Sequence, residues 1–82
     1  MDRRDVEFLK SRMDQIVQVR CQDGETIVGT VVFVSESEHD VTLDFISSSE
    51  QSRQEWRGRA LLLRFEEIAS VALADRITGP FD

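Results

Sequence analysis

The sequence predicts a mainly β domain, in which an N-terminal α-helix leads into a five-stranded, strongly bent antiparallel sheet that closes into a small barrel. Three observations carry this reading. Val17, Val19 and Cys21 alternate with Gln18, Arg20 and Gln22, the period-two pattern of a strand with one buried face and one wet face. After the Asp23-Gly24 turn, Ile27, Gly29, Val31 and Phe33 share one face while Thr26, Val28, Thr30, Val32 and Val34 share the other. This second strand is therefore apolar on both sides towards its end and needs cover on both. Finally, Gly29 stands near its middle, where a residue without a side chain lets the backbone curl or a neighbouring strand approach closely.

The remaining elements follow in order. Residues 2–15 read as a short amphipathic helix, because Val6, Leu9, Met13 and Ile16 recur at spacings of three and four and make one apolar stripe. Asp2 or Asp5 caps its start, and Lys10 and Arg12 near its end suit the helix dipole. A helix of this length is not stable alone and must lay its stripe on the barrel, the favoured place, or on a partner. The polar run SESEHD, residues 35–40, is a turn. Val41, Leu43 and Phe45 alternate with Thr42, Asp44 and Ile46 as a third strand. Residues 47–59 hold no sustained apolar period and are either one loop or a hairpin running on beyond the barrel. Leu61, Leu63 and Phe65 share a face of a fourth strand over 60–65, and Val71 and Leu73 share a face of a fifth over 69–74. Gly79-Pro80 cannot continue a ladder, so 75–82 is read as a loose tail behind a barrel spanning 16–74, all within one domain of residues 1–82. Val19, Gly29, Val31, Leu43, Leu63 and Val71 are the expected centre of the core.

Size and charge limit the functions open to such a chain. Eighty-two residues bury only about 60% of the unfolded surface, which favours self-association. The net charge of -6 disfavours unspecific binding to nucleic acid, whose affinity comes from lysine and arginine releasing counterions, so any such contact must be local. The lone Cys21 forms no intrachain disulfide and, pointing inward from a strand, reads as a small buried hydrophobe rather than a reactive or metal-binding thiol. No apolar run approaches the roughly 18 residues of a membrane span, and the charged start MDRRDVEF does not read as a secretory signal; no membrane association and a cytoplasmic setting are expected.

Chemistry-bearing residues are few. His39 and the carboxylates of its turn offer a single imidazole without the spacing that fixes a coordination shell, so neither a metal nor a cofactor is expected. There is no glycine-rich phosphate loop, cysteine pair or nucleophile elbow, and Glu66 and Glu67, adjacent on a strand, point apart; the chain is not expected to be an enzyme. Trp56, the only tryptophan, lies among Arg53, Arg57 and Arg59, the one locally basic patch with an aromatic in an acidic chain. It either covers its own hairpin or anchors a partner. Arg64 either pairs with Glu66, Glu67 or Asp44 or contacts a ligand.

A helix and then five strands, with Asp23-Gly24 in the first hairpin, Gly29, and Val41 and Leu43 in place, resembles the Sm-like (LSm and Hfq) family, an SH3-like barrel. LRFEEIASV, residues 63–71, is similar to the second motif of that family. The resemblance implies RNA binding in which Arg64, Asp40 and His39 are the candidate contacts, and a homo-oligomer closed by pairing strand four of one subunit with strand five of the next. Ser35 stands where the family has aspartate, Asp40 where it has asparagine once an extra turn residue is allowed, and Phe65 where glycine follows the arginine. Exchanging an amide for a carboxylate adds repulsion against phosphate and removes a donor to the base, so the pocket reads as degenerate. The sequence is also similar, in length, acidity, leading helix, DGETI at 23–27 and LRFEEI at 63–68, to the small Rho-inhibiting (Rof-type) proteins of bacteria. That second resemblance implies an acidic, non-enzymatic blocker of a basic protein partner. If the chain works through protein contacts, Trp56 with Arg53, Arg57 and Arg59, read from the residues themselves, is the candidate partner-binding patch.

Overall fold

The computed structural model of the chain describes residues 2–50 and 55–74. The helix α1 (Arg3–Lys10) is followed by β1 (Ile16–Cys21), β2 (Thr26–Ser35), β3 (Asp40–Ser48), β4 (Ala60–Arg64), a single 3-10 turn at Phe65–Glu67, and β5 (Ile68–Leu73). The strands form one antiparallel sheet in the order β4-β3-β2-β1-β5, which leaves β4 and β5 as its two edges. The mainly β architecture with a leading helix agrees with the sequence reading. Arg53 and the tail over 75–82 lie outside the described residues.

Helix α1 is shorter than the expected 2–15. Asp2 caps it by accepting the Asp5 N–H at 3.0 Å, and Val6 and Leu9 are buried as the stripe requires. Past Lys10 the chain turns, because its backbone finds partners on the sheet. Asp14, with φ at +66°, donates its N–H to Val31 C=O at 2.8 Å, while Val31 N–H donates to Gln15 C=O at 3.0 Å. Those bonds swing Met13 out to 40% exposure, so it is not part of the buried stripe. The Arg12 guanidinium lies over the Phe8 ring, 5.2 Å from its centre.

Gly29 does what its place predicts. A Cβ there would stand 2.7 Å from the Asp44 carbonyl oxygen and 3.1 Å from Leu43 Cβ, so only glycine allows β3 to cross β2 this closely. Three residues further along β2, the simple alternation fails. Val31 lies opposite Leu43 but Phe33 lies opposite Thr42, so Val32 is an extra residue, a β-bulge, and every side chain beyond it changes face. Phe33, expected inward, is 57% exposed, and Val34, opposite Val41, packs against the core in its place.

The core joins Leu9 of α1 to Val17, Val19, Ile27, Val31, Val41, Leu43, Phe45, Leu61, Leu63 and Ile68. Of the six residues expected at its centre, Val71 alone is only half-buried: it lies opposite Val19 on an edge strand with no further strand beyond it. Ile68, fully buried and opposite Cys21 after a register shift, fills the place on β5 that Val71 was expected to hold. β3 runs on to Ser48, and Phe45 continues the pairing beyond β4 by donating its N–H to Arg59 C=O at 2.9 Å.

Candidate nucleic-acid and partner surfaces

Two turns meet at one end of the barrel. The 36–39 turn between β2 and β3 and the Phe65–Glu67 turn between β4 and β5 are joined by Phe65 N–H donating to His39 C=O at 2.8 Å. Asp40 and Arg64 lie directly opposite each other in the β3–β4 ladder. His39 and Asp40 are thereby brought beside Arg64, some 24 positions away in sequence. His39 adopts a left-handed backbone, φ +59°, and sets its ring edge-on to Phe65, with centres 6.0 Å apart and planes at 67°. Arg64 is solvent-facing, and its Nε donates to Glu66 Oε1 at 3.1 Å, so the intramolecular partner foreseen for it is realised with Glu66. Its backbone N–H donates to Glu67 Oε1 at 2.8 Å, which holds the short turn in shape.

A cleft of about 250 Å³ opens beside this point, lined by Asp2, Arg3, Val6, Glu36, His39 and Phe65. At its rim the Glu36 carboxylate accepts from two cations of α1: Arg3 Nη1 donates to Oε1 and Lys10 Nζ to Oε2. Arg3 also pairs with Glu7 at 2.6 Å. The hydrogen bond from Lys10, and then that from Arg3, hold the Glu36 carboxyl below its ordinary range, while the Glu36 contact raises Arg3. Sequence reasoning missed Glu36, Arg3 and Lys10. That Arg3 and Lys10 lie two turns apart on one helix face was legible, but their common partner far along the chain was not.

A second cleft, about 270 Å³, lies between the Asp23-Gly24 hairpin and the Phe65–Glu67 turn, lined by Cys21, Gln22, Asp23, Glu25, Leu63, Glu66 and Glu67. Gln22 N–H donates to Glu67 C=O at 2.8 Å and so fixes the two turns together. The Cys21 thiol and the Asp23 and Glu25 carboxylates offer donor atoms within 4.8 Å of one another, the one such group among the described residues. Their hydrogen bonds build the hairpin: Asp23 Oδ1 accepts Glu25 N–H at 3.0 Å, and Glu25 Oε2 accepts Ser48 Oγ–H at 2.5 Å. Cys21 is buried, as expected of a small hydrophobe.

The Trp56 patch sits at the other end of β4. A tight helical turn at 55–56 leads through Gly58, φ +83°, into the strand, and Arg59 N–H donates to Trp56 C=O at 2.9 Å. Trp56 is 37% exposed, and Arg57 and Arg59 are exposed beside it. The five residues of β4, rising about 3.3 Å each, put roughly 16 Å between this patch and Arg64.

No family model matches the chain, and no curated protein does. Solved structures do. The chain is similar to an SmAP (LSm) protein from Methanococcus vannielii, with 23% identity and a TM-score of 0.66 over 89% of this chain and all of that one. It is also similar to a novel Sm-like archaeal protein from Pyrobaculum aerophilum, with 18% identity and a TM-score of 0.67, covering 87% of this chain and 52% of that one. The fold is therefore Sm-like. Among the described residues no helix is long and apolar enough to cross a membrane.

Proposed function

We propose that this chain is a non-enzymatic, RNA-associated module of the Sm-like fold whose RNA contact lies where the 36–39 and Phe65–Glu67 turns meet. The observation that carries the reading is the Phe65–His39 backbone bond with Asp40 facing Arg64, which gathers an imidazole and a solvent-facing guanidinium on one surface. Arg64 exchanges its exposed pairing with Glu66 for charge-assisted hydrogen bonds to phosphate or a base edge, and His39 and Phe65 supply a ring wall beside it. Asp40 adds a negative charge where the family has an amide, so binding is weaker and more selective than a basic surface would give. The chain works as a homo-oligomer in the cytoplasm, with β4 of one subunit pairing β5 of the next. Support for that comes from the two open edges, which carry the exposed Leu62 and Leu73. The test is titration of labelled oligo-U, oligo-A and mixed RNA at two salt concentrations. Affinity that falls with salt supports the reading, and absence of binding removes it.

A second reading is favoured by one observation: the single tryptophan is exposed and flanked by arginines on an otherwise acidic chain. On that reading the chain is an acidic protein-binding module that blocks a basic partner surface, with Trp56 as its apolar anchor, Arg53, Arg57 and Arg59 bordering it in sequence, and the net charge of -6 steering the encounter. Trp56→Ala then weakens the partner complex by roughly 2 kcal/mol or more with the melting temperature unchanged, as read by calorimetric titration.

A further inference from the structure

Two cations of one helix face converge on the two oxygens of a single carboxylate in a turn some 26 residues or more away, and all three side chains remain open to solvent. An exposed carboxylate is a poor reason for such an arrangement, since each surface ion pair contributes little to stability. As an anion site the arrangement is well formed. One guanidinium N–H from Arg3 and the ammonium of Lys10, one to each oxygen, match the way two cationic donors hold two oxygens of a phosphate. Arg3 and Glu36 also line the cleft that His39 and Phe65 wall, so an anion exchanging with Glu36 sits at the mouth of the proposed RNA surface. We infer that Arg3 and Lys10 form a phosphate-binding subsite that the chain occupies with its own Glu36, an internal competitor that must swing aside before a phosphate is held. The inference rests on the RNA reading only for the source of that phosphate.

The exchange breaks no covalent bond and moves no proton: one anion replaces another on the same two cations. Because Glu36 belongs to an exposed turn, its side chain can leave without unfolding α1, whose Val6 and Leu9 stay buried. Arg3 keeps its second partner, Glu7, which orients the guanidinium while Glu36 is displaced.

The test compares the wild-type chain with Glu36→Gln, with Glu36→Gln combined with Lys10→Ala, and with Glu38→Gln. The last removes the same charge from the same turn at a side chain facing solvent. Pyrophosphate binding is read from NMR shifts of the Arg3 and Lys10 amides, and short oligo-U binding from anisotropy. Glu36→Gln should bind pyrophosphate about three- to tenfold more tightly than wild type, the factor that two released surface ion pairs supply. Glu38→Gln should leave it unchanged, and adding Lys10→Ala should abolish the gain. With oligo-U, the slope of log affinity against log salt should steepen by roughly 0.7 for each phosphate newly contacted. Equal pyrophosphate binding in Glu36→Gln and wild type, or the same gain in Glu38→Gln, overturns the inference and leaves the RNA reading standing. A pyrophosphate gain in Glu36→Gln without oligo-U binding by any variant supports the subsite, assigns it to free phosphate, and removes the RNA reading.

Discussion

The two ends of β4 carry the two candidate surfaces, and the contrast between them lies in how each is assembled. At the Ala60 end, Trp56, Arg57 and Arg59 are neighbours in sequence and exposed in one turn. At the Arg64 end, the surface exists only because the sheet brings the 36–39 turn against Phe65 and α1 against Glu36. A sequence-local patch can be read directly from the residues but says little about geometry. A surface assembled from distant segments is geometrically specific, and its residues cannot be collected until the fold is known.

This contrast has consequences that can be measured. The largest expected effect strikes both ends at once. Gly29→Ala puts a Cβ against the Asp44 carbonyl oxygen, a backbone atom that cannot rotate away, and should cost about 1–3 kcal/mol in chemical denaturation. Because β2 and β3 support both surfaces, Trp56 fluorescence and His39 resonances should report one common transition; separate transitions would mean that the ends fold independently.

A smaller effect tests the bulge at Val32, which orients the strand running into the 36–39 turn. Phe33→Ala should change stability by no more than about 0.5 kcal/mol because its ring already faces solvent, whereas Val34→Ala should cost distinctly more because it packs on the core. The reverse ranking would restore the simple alternation and place Phe33 inside.

The smallest effect belongs to Glu36. Its carboxyl titrates below the ordinary value in the folded chain, so its contribution to stability is present above the unfolded carboxyl's range and is lost as pH falls through the lowered folded value. Wild type should therefore melt slightly higher than Glu36→Gln near pH 7, and the gap should narrow as pH falls below the ordinary carboxyl range. A gap that stays constant with pH would show that the ion pairs with Arg3 and Lys10 do not act on stability.

The sequence was most legible where a local rule meets no competitor. Val17, Val19 and Cys21 alternate into the core, Asp2 caps α1, and Gly29 marks a close crossing, each for the reason its residue type suggests. Legibility ended where tertiary hydrogen bonds overrode a local period. The stripe through Met13 continued on paper, but the backbone of Asp14 and Gln15 bonds Val31 instead of extending the helix. One extra residue at Val32 likewise exchanged the faces of Phe33 and Val34, and the edge position of β5 left Val71 half-covered while Ile68 went inside. Of the candidate RNA surface, Arg64, Asp40 and His39 came from the resemblance, whereas Phe65 as a wall and Glu36 as the partner of Arg3 and Lys10 needed the fold.

The most direct measurement of the central claim is oligo-U affinity at two salt concentrations for wild type, Arg64→Ala and Trp56→Ala. The account predicts that Arg64→Ala loses about 1–3 kcal/mol of affinity, as a charge-assisted contact to phosphate or base does, while Trp56→Ala binds like wild type. Loss of RNA binding in Trp56→Ala with Arg64→Ala unaffected would contradict it and move the functional surface to the other end of β4.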